Sequence, residues 1–380
     1  MNPLEVAVLV ISLIAIIPFG IITSYQDIKR NKIKNKFIVI VLIFALIINI
    51  CIVGYLFYTN DNIKWLYVKE YLLNIVFAFF VGLLIWEGSL WSAGDAKLFL
   101  AYAAIVPLII YQWGYVNNFP SFVILVNTFT PYFIFYFGYM LFRTSLKDKV
   151  EVFKEMLNPK MMFSFIIFIF SFSWIAQLIF GLLNIQVNFF VSVFVLFLMM
   201  VVLTKFLRVS LTIAGLVISM LRLIFDYRTV FTTVFLKQFL FMLFLFIFII
   251  YLVINLGFKF FAKPIYVEDL KPGMILAEDI YKEKDKEEYK KRKIVPISFI
   301  TTLFDKVQFQ SILSQLPEGL TKDEVEKIKK LHSQGKFKEH VVMINYTIPF
   351  APFMFFGVLI TILAQGNAFM FIRAVLENFI

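Results

Sequence analysis

The stretch FIVIVLIFALIINICIVGYLFY, residues 37–58, runs for 22 residues without one charged side chain. A helix of about 20 apolar residues is long enough to cross the hydrocarbon core of a bilayer. Over the whole 380-residue chain, 61% of the residues are hydrophobic and the mean hydropathy is +0.87. Because one soluble core cannot bury that much apolar surface, the sequence predicts a polytopic α-helical membrane protein.

Similar apolar runs recur along the chain and predict about ten transmembrane helices. The predicted spans are residues 4–25, 37–58, 71–90, 98–115, 120–142, 161–183, 187–205, 208–227, 232–262 and 346–372. The eighth span is the weakest, because it is short and carries Arg222 and Asp226; it could instead lie flat on the membrane or pack as a half-buried segment. The first span lacks a basic leader and a small-residue cleavage site, so we expect it to be retained.

The region 263–345 breaks this pattern because it is rich in charge. It holds sixteen Lys or Arg and fourteen Asp or Glu, which leaves nine of the eleven net positive charges to the rest of the chain. Thr321 followed by Glu324 predicts the start of a helix, and a Pro-Gly turn at 272–273 separates short predicted strands. We therefore predict a small α+β soluble insert. The chain would then have four parts: a membrane core at 1–142, additional transmembrane helices at 143–262, the insert at 263–345 and a C-terminal transmembrane helix at 346–380.

The distribution of basic residues predicts the orientation, since cytoplasmic loops are enriched in Lys and Arg. Loops 26–36 and 143–160 carry five basic residues each, whereas the turns near 116–119 and 184–186 carry no charge. We therefore predict a multi-pass protein of the cell (plasma) membrane, with its N-terminus outside and its soluble insert in the cytoplasm. The net positive charge is then explained by the orientation of the protein in the membrane, and we expect no nucleic-acid partner.

Cysteine and histidine are too few to suggest a metal centre. The single Cys51 lies in an apolar run, so the chain can form no internal disulfide and no thiol cluster. His332 and His340 are eight residues apart in the polar insert, where a solvated role is more common than metal ligation. We expect neither a metal nor another cofactor.

Two aspartates lie where predicted spans reach the cytoplasmic face. Asp27 follows the first span and Asp95 the third, so two crossings return them to the same side. When two carboxyl groups lie close together, one holds a proton while the other deprotonates a water, which is the chemistry of amide hydrolysis. The preceding Gly94 would let an extended substrate pass close to Asp95. Alternatively, Asp27 is a solvated counter-charge and Asp95 a helix N-cap.

Three motifs resemble those of a known family. SAGDAKL, residues 92–98, is similar to the GxGDxKL motif of type IV prepilin peptidases, which are GxGD membrane aspartyl proteases. DIKRNKIKN, residues 27–35, resembles their first-aspartate motif, in which a short basic run and I-P-N follow the aspartate. IPFAPFMFFG, residues 348–357, is similar to a PFGPF-type element. The lack of an N-terminal cysteine-rich module suggests the archaeal branch, which processes pilins and archaellins, and the insert resembles the cytosolic segment of its longer members.

The resemblance assigns two groups of residues. The catalytic pair is Asp27 and Asp95, and the residues that shape the site are Ser92, Gly94, Lys97, Ile33 and Asn35. Ser92 stands where the motif has its first glycine, and Lys97 could instead anchor its helix at the interface. The resemblance implies an aspartic-type endopeptidase that removes the basic leader, or class III signal peptide, from prepilin or preflagellin-like precursors at the cytoplasmic face, with membrane lipid as its surroundings.

Two other functions stay open. An ion- or proton-coupled transporter would also use intramembrane aspartates, although no internal repeat is visible in the sequence. An intramembrane protease for membrane signal peptides shares the GxGD motif but usually pairs it with Tyr-Asp, whereas Gln26 precedes Asp27 here. If the chain is a leader peptidase, acidic residues of the insert are candidate contacts for the basic leader: Glu278, Asp279, Glu287 and Glu288.

Overall fold

A computed structural model describes most of the chain, in segments. The described residues are 3–59, 62–87, 91–156, 159–182, 189–206, 211–249, 262–282, 288–293, 310–311, 319–345 and 349–370. Within them the protein is mostly helical, with a small sheet region.

The helices of the described residues vary in length. In chain order they are α1 (Pro3–Arg30), α2 (Asn35–Tyr58), α3 (Lys64–Glu87), α4 (Ala93–Ile105), α5 (Phe122–Arg143), α6 (Leu146–Met156), α7 (Pro159–Leu182), α8 (Phe189–Phe206), α9 (Leu211–Phe225), α10 (Tyr227–Val230), α11 (Thr233–Ile249), α12 (Lys322–Ser333) and α13 (Ala351–Leu363). Five segments of the described chain are long and apolar enough to span, namely Val6–Arg30, Asn35–Tyr58, Lys64–Glu87, Phe122–Arg143 and Met162–Leu182. The predicted number of ten transmembrane helices is therefore not confirmed.

The chain divides into two compact units, Met1–Tyr136 with Thr347–Ile380, and Phe137–Tyr346. The first unit joins the N-terminal helices to α13, which comes from the far end of the sequence. This arrangement allows the first and last motifs to meet in one bundle. The four-part division made from the sequence stays a prediction.

Helix α4 is shorter than the apolar pattern predicts. It ends after 13 residues, about 20 Å at the rise of an α-helix, and a proline stands two residues past its end. The last carbonyl groups of the helix are bonded by side chains from neighbouring helices. Asn74 and Asn49 donate from Nδ2 to the carbonyls of Ala103 and Ala104, both at 3.3 Å. The continuous span predicted at 98–115 is wrong, because these amides stabilise a helix end within it.

In the second unit, α7, α8, α9 and α11 contribute to one apolar core that is rich in phenylalanine. Arg222 of α9 is completely buried there. Its guanidinium lies over the rings of Phe170 and Phe235, at 4.8 and 4.6 Å from their centroids, and pairs with Asp226 at 3.4 Å. The positive charge of Arg222 was one argument against a span at 208–227. The structure compensates this charge with Asp226 and two aromatic rings.

In the described part of the predicted insert the chain forms two small antiparallel sheets and one α-helix. Its strands are β1 (Ala262–Tyr266), β2 (Ile275–Leu276), β3 (Glu278–Lys282), β4 (Tyr289–Lys293), β5 (Gln310–Ser311) and β6 (Val341–Asn345), paired in the orders β1-β6-β2 and β4-β3-β5. Thr321 and Glu324 form the predicted capping box at the start of α12. The prediction of a small α+β region is confirmed for the described part of the insert.

Candidate active site

Asp27 lies in the last turn of α1 and is held by the start of α13. The Ala351 N–H donates to Asp27 Oδ2 at 2.9 Å, and the neighbouring Phe350 N–H also stabilises the negative charge of this carboxyl group. Backbone N–H groups at a helix N-terminus stabilise a negative charge. The Asp27 side chain is 9% exposed, so the alternative of a solvated counter-charge is wrong.

The local sequence explains why α1 ends near Asp27 and why α13 begins at Ala351. Asn31 has φ +48°, a left-handed conformation that asparagine tolerates, and α1 therefore ends within a turn of Asp27. At the other side, Pro352 lies in the first turn of α13, where its fixed φ favours helix initiation and its missing N–H is not needed.

Asp95 is held by a different hydrogen-bonding motif, a capping box at the start of α4. Its backbone N–H donates to Ser92 Oγ at 3.2 Å. In return, the backbone N–H and the hydroxyl of Ser92 both donate to Asp95 Oδ2, at 3.0 and 2.8 Å. Ser92 is therefore the N-cap, and the alternative that Asp95 is the cap is corrected. Among the residues that the structure describes, no donor bonds Asp95 Oδ1.

The two carboxyl groups lie within electrostatic range of each other. Asp95, outside the candidate spans, is 8% exposed, and burial is the main reason that its pKa is raised to about 6. The bond from the Ser92 hydroxyl lowers that pKa, and the negative charge of Asp27 raises it. A group with such a pKa can hold or release a proton near neutral pH.

The structure also brings together the residues predicted to shape the site. Lys97 Nζ donates to Asn35 Oδ1 at 3.3 Å. A Cβ built on Gly94 would lie 3.3 Å from Ser92 Oγ and 3.9 Å from the Ile33 side chain. The connection from α1 to α2 therefore packs against the start of α4, and the two aspartate motifs form one surface. What these residues contribute to activity stays a proposal.

An aromatic cluster beside the carboxyl groups was missed by the sequence reasoning. The ring centroid of Phe350 lies 5.4 Å from that of Trp91, 5.5 Å from that of Phe129 and 5.2 Å from that of Tyr132. Tyr132 is also within electrostatic range of Asp95. Because Phe350 directly precedes Ala351, whose N–H donates to Asp27, the cluster helps to position that N–H. With 49 phenylalanines in the chain, no sequence signal separates these rings from ordinary packing.

The acidic residues proposed as leader contacts are not available as a group. Glu278 is 6% exposed; it accepts from the Met343 N–H at 3.0 Å and pairs with Lys291 at 3.7 Å. Glu288 pairs with Lys338 at 2.6 Å. Glu287 lies outside the described residues, as does the side chain of Asp279. The role of Glu278 in that hypothesis is therefore wrong, because its charge is used inside the insert.

The described segments contain no group of three or more His, Cys, Asp or Glu side chains that could hold a metal ion. His332 and His340 do meet, with ring centroids 5.0 Å apart, and His332 Nδ1 lies 2.9 Å from the Phe337 carbonyl oxygen. This pair belongs to the insert and is distinct from the two aspartates.

The fold and the site define a class of protein, namely a membrane protein with two buried, interacting carboxyl groups at the ends of its helices. The model of the type IV leader peptidase family matches residues 14–138. A second model, the archaeal peptidase A24 C-terminal domain, matches residues 238–343. These two matches confirm the resemblance inferred from the motifs, and similarity to a peptidase family implies protease activity.

Curated relatives agree with this assignment. Prepilin peptidase EppA of Methanothermobacter thermautotrophicus is 23% identical over 376 residues, which cover 92% of this chain and 93% of the relative. Prepilin peptidase EppA of Methanocaldococcus jannaschii is 34% identical over 104 residues, covering 27% of this chain and 30% of the relative. No solved structure gives a significant match.

Proposed function

We propose that the protein is an aspartic endopeptidase that removes the basic leader from pilin-like precursors, with Asp27 and Asp95 as its catalytic pair. The observation that carries the proposal is the electrostatic interaction between two buried carboxyl groups on different helices, each of which accepts hydrogen bonds from its surroundings. The names of the two relatives support the class of substrate.

In the proposed reaction, Asp95 starts protonated and Asp27 starts ionised. The donors from Ser92 occupy Asp95 Oδ2, which leaves Oδ1 to carry the proton. Asp27 takes a proton from a water, whose oxygen attacks the scissile carbonyl carbon, while Asp95 gives its proton to the carbonyl oxygen. As the tetrahedral intermediate collapses, the C–N bond breaks, the proton on Asp27 passes to the departing amine, and one hydroxyl group of the intermediate gives its proton to Asp95 as the carboxyl C=O forms. Both products leave with the pair restored.

The substrate geometry follows from the membrane. A precursor whose hydrophobic helix lies in the bilayer presents its polar leader at the boundary, so confinement to two dimensions supplies part of the orientation. Gly94, next to Asp95, allows an unwound substrate backbone to approach that carboxyl group. We propose that the site opens to the cytoplasm, because the basic loop 26–36 carries Asp27.

The proposed function is tested with the purified protein in liposomes and a prepilin that carries a C-terminal tag. We expect a shorter tagged product whose new N-terminus lies directly after the basic leader. An intact prepilin, together with proton uptake by the liposomes, would instead support the transporter.

Replacing Ser92 by alanine is expected to slow leader removal about fivefold, the equivalent of one hydrogen bond of about 1 kcal/mol. It should also move the alkaline limb of the pH–rate profile to higher pH. The Ser92 hydroxyl lowers the pKa of Asp95, so its loss raises that pKa and Asp95 keeps its proton further into the alkaline range. The measurement is kcat/KM against pH for the reconstituted protein.

Two further substitutions at this position separate orientation of Asp95 from simple helix capping. Ser92→Thr keeps a hydroxyl group, so the alkaline limb of its pH–rate profile should lie at the same pH as in the wild type. Ser92→Gly restores the glycine of the family motif but lacks the hydroxyl, so its limb should move as in the alanine variant. If the alanine variant is less stable but its limb stays in place, Ser92 only caps α4.

A further inference from the structure

Helix α6 presents an exposed apolar stripe that the proposed reaction does not use. Leu146, Val150 and Phe153 follow one another at spacings of four and three residues, so they lie on one face of the helix. Their side chains are 78%, 52% and 52% exposed. Large apolar side chains grouped in this way mark a contact surface.

The charged residues of α6 are sorted around this stripe. With 3.6 residues per turn, Lys147 and Lys154 lie along one side of the stripe and Lys149 along the other. Asp148 and Glu151 lie on the opposite face. An apolar face bordered by lysines, with acidic residues turned away, is typical of a helix that lies in the surface of an anionic membrane.

The position of α6 in the chain brings it to the membrane boundary. The candidate span of α5 ends at Arg143, and two residues separate it from Leu146 at the start of α6. The next helix, α7, begins at Pro159, which two residues separate from Met156, and it contains another candidate span. Lys149 Nζ donates to a carbonyl in the last turn of α5 at 2.5 Å. Both ends of α6 are therefore tied to helices where these reach the edge of the bilayer.

We propose that α6 is a membrane-surface helix, with Leu146, Val150 and Phe153 inserted among acyl chains and with Lys147 and Lys154 bound to the phosphate groups of anionic lipids. Lipid is the occupant that fits both features, because it offers an apolar layer directly beneath a negatively charged one. The helix then holds the connection between α5 and α7 at a fixed depth. This inference does not depend on the proposed peptidase activity.

Spin labels on the two faces test the inference in the full-length protein. In a Cys51→Ser background, Val150→Cys and Asp148→Cys are labelled separately with a nitroxide and reconstituted in liposomes that contain anionic phospholipid. Collision with oxygen, which concentrates in lipid, is compared with collision with a water-soluble nickel chelate. We expect the label at 150 to favour oxygen and the label at 148 to favour the chelate.

Two results would overturn the inference. If the label at 150 favours the chelate, α6 lies in water. If it is shielded from both reagents, the stripe is covered by protein and not by lipid.

The lipid charge is tested with the same label at 150. Its depth should be greater in anionic than in zwitterionic liposomes, and Lys147→Gln combined with Lys154→Gln should remove that difference. The matched control, Lys322→Gln with Lys330→Gln on the exposed surface of α12, should leave the difference unchanged. Equal depths in both kinds of liposome for the unsubstituted lysines would show that the headgroups are not bound.

Discussion

Asparagine at position 27 or at position 95 is expected to lower the rate of leader removal by about 10²- to 10⁴-fold, the range that one general acid or base supplies. Asparagine has nearly the shape of aspartate and keeps an oxygen that accepts the bonds from Ala351 or from Ser92. It cannot take a proton from water or give one to a carbonyl. The loss should therefore be catalytic and not structural.

The measurement follows a tagged prepilin that is co-expressed with each variant, from the shift of the processed band on a gel, with the amount of enzyme in the membrane determined in parallel. The matched control is Asp269→Asn, which neutralises an exposed carboxyl group of the insert and should process at the wild-type rate. If either substitution leaves processing near the wild-type rate while the protein is present in the membrane, Asp27 and Asp95 are not the catalytic pair.

The second large effect is expected at Gly357, where one added methyl group should destabilise the protein. A Cβ at this position would lie 2.7 Å from both Cα and N of Thr128 on α5, so α13 must shift. The helix has little freedom to do so, because Asn127 Nδ2 donates to Thr361 Oγ1 at 2.9 Å and to the Gly366 carbonyl at 2.8 Å. Overpacking of this kind typically lowers the free energy of unfolding by about 1–3 kcal/mol.

The displacement should also reduce activity, because α13 carries the N–H of Ala351 that bonds Asp27. We therefore expect Gly357→Ala to lower both the melting temperature in detergent and the rate of leader removal. The matched control is Gly138→Ala on α5, where no atom lies within 4 Å of the added Cβ and where alanine favours the helix by about 1 kcal/mol. A Gly357→Ala protein that melts and cleaves like the wild type would show that α5 and α13 do not pack as described.

The sequence predicted the paired aspartates because their signals are local. Asp27 and Asp95 lie in short motifs, at the ends of apolar runs that are visible by composition. Ser92 was taken as a departure from the glycine of the motif, and the structure gives it a function as the cap that bonds Asp95. The pattern of a serine three residues before an acidic residue is that of a capping box, so this contact was readable from the sequence.

The features that sequence reasoning missed depend on contacts between distant segments. The end of α4 is set by amides of Asn49 and Asn74 from two other helices, whereas the apolar pattern continues past it. The donor to Asp27 comes from Ala351, more than 300 residues further along the chain. Likewise, only the folded insert shows that Glu278 is buried beside Lys291.

The central claim is that one carboxyl group of the pair holds a proton while the other is ionised. It is tested most directly by kcat/KM for leader removal, measured against pH with the reconstituted wild-type protein. We predict a bell-shaped profile, with a rising limb as the first carboxyl group ionises and a falling limb near pH 6, where the raised pKa of Asp95 lies. A rate that stays constant from about pH 4 to about pH 8 would contradict the claim, because a carboxyl pair must titrate in that range.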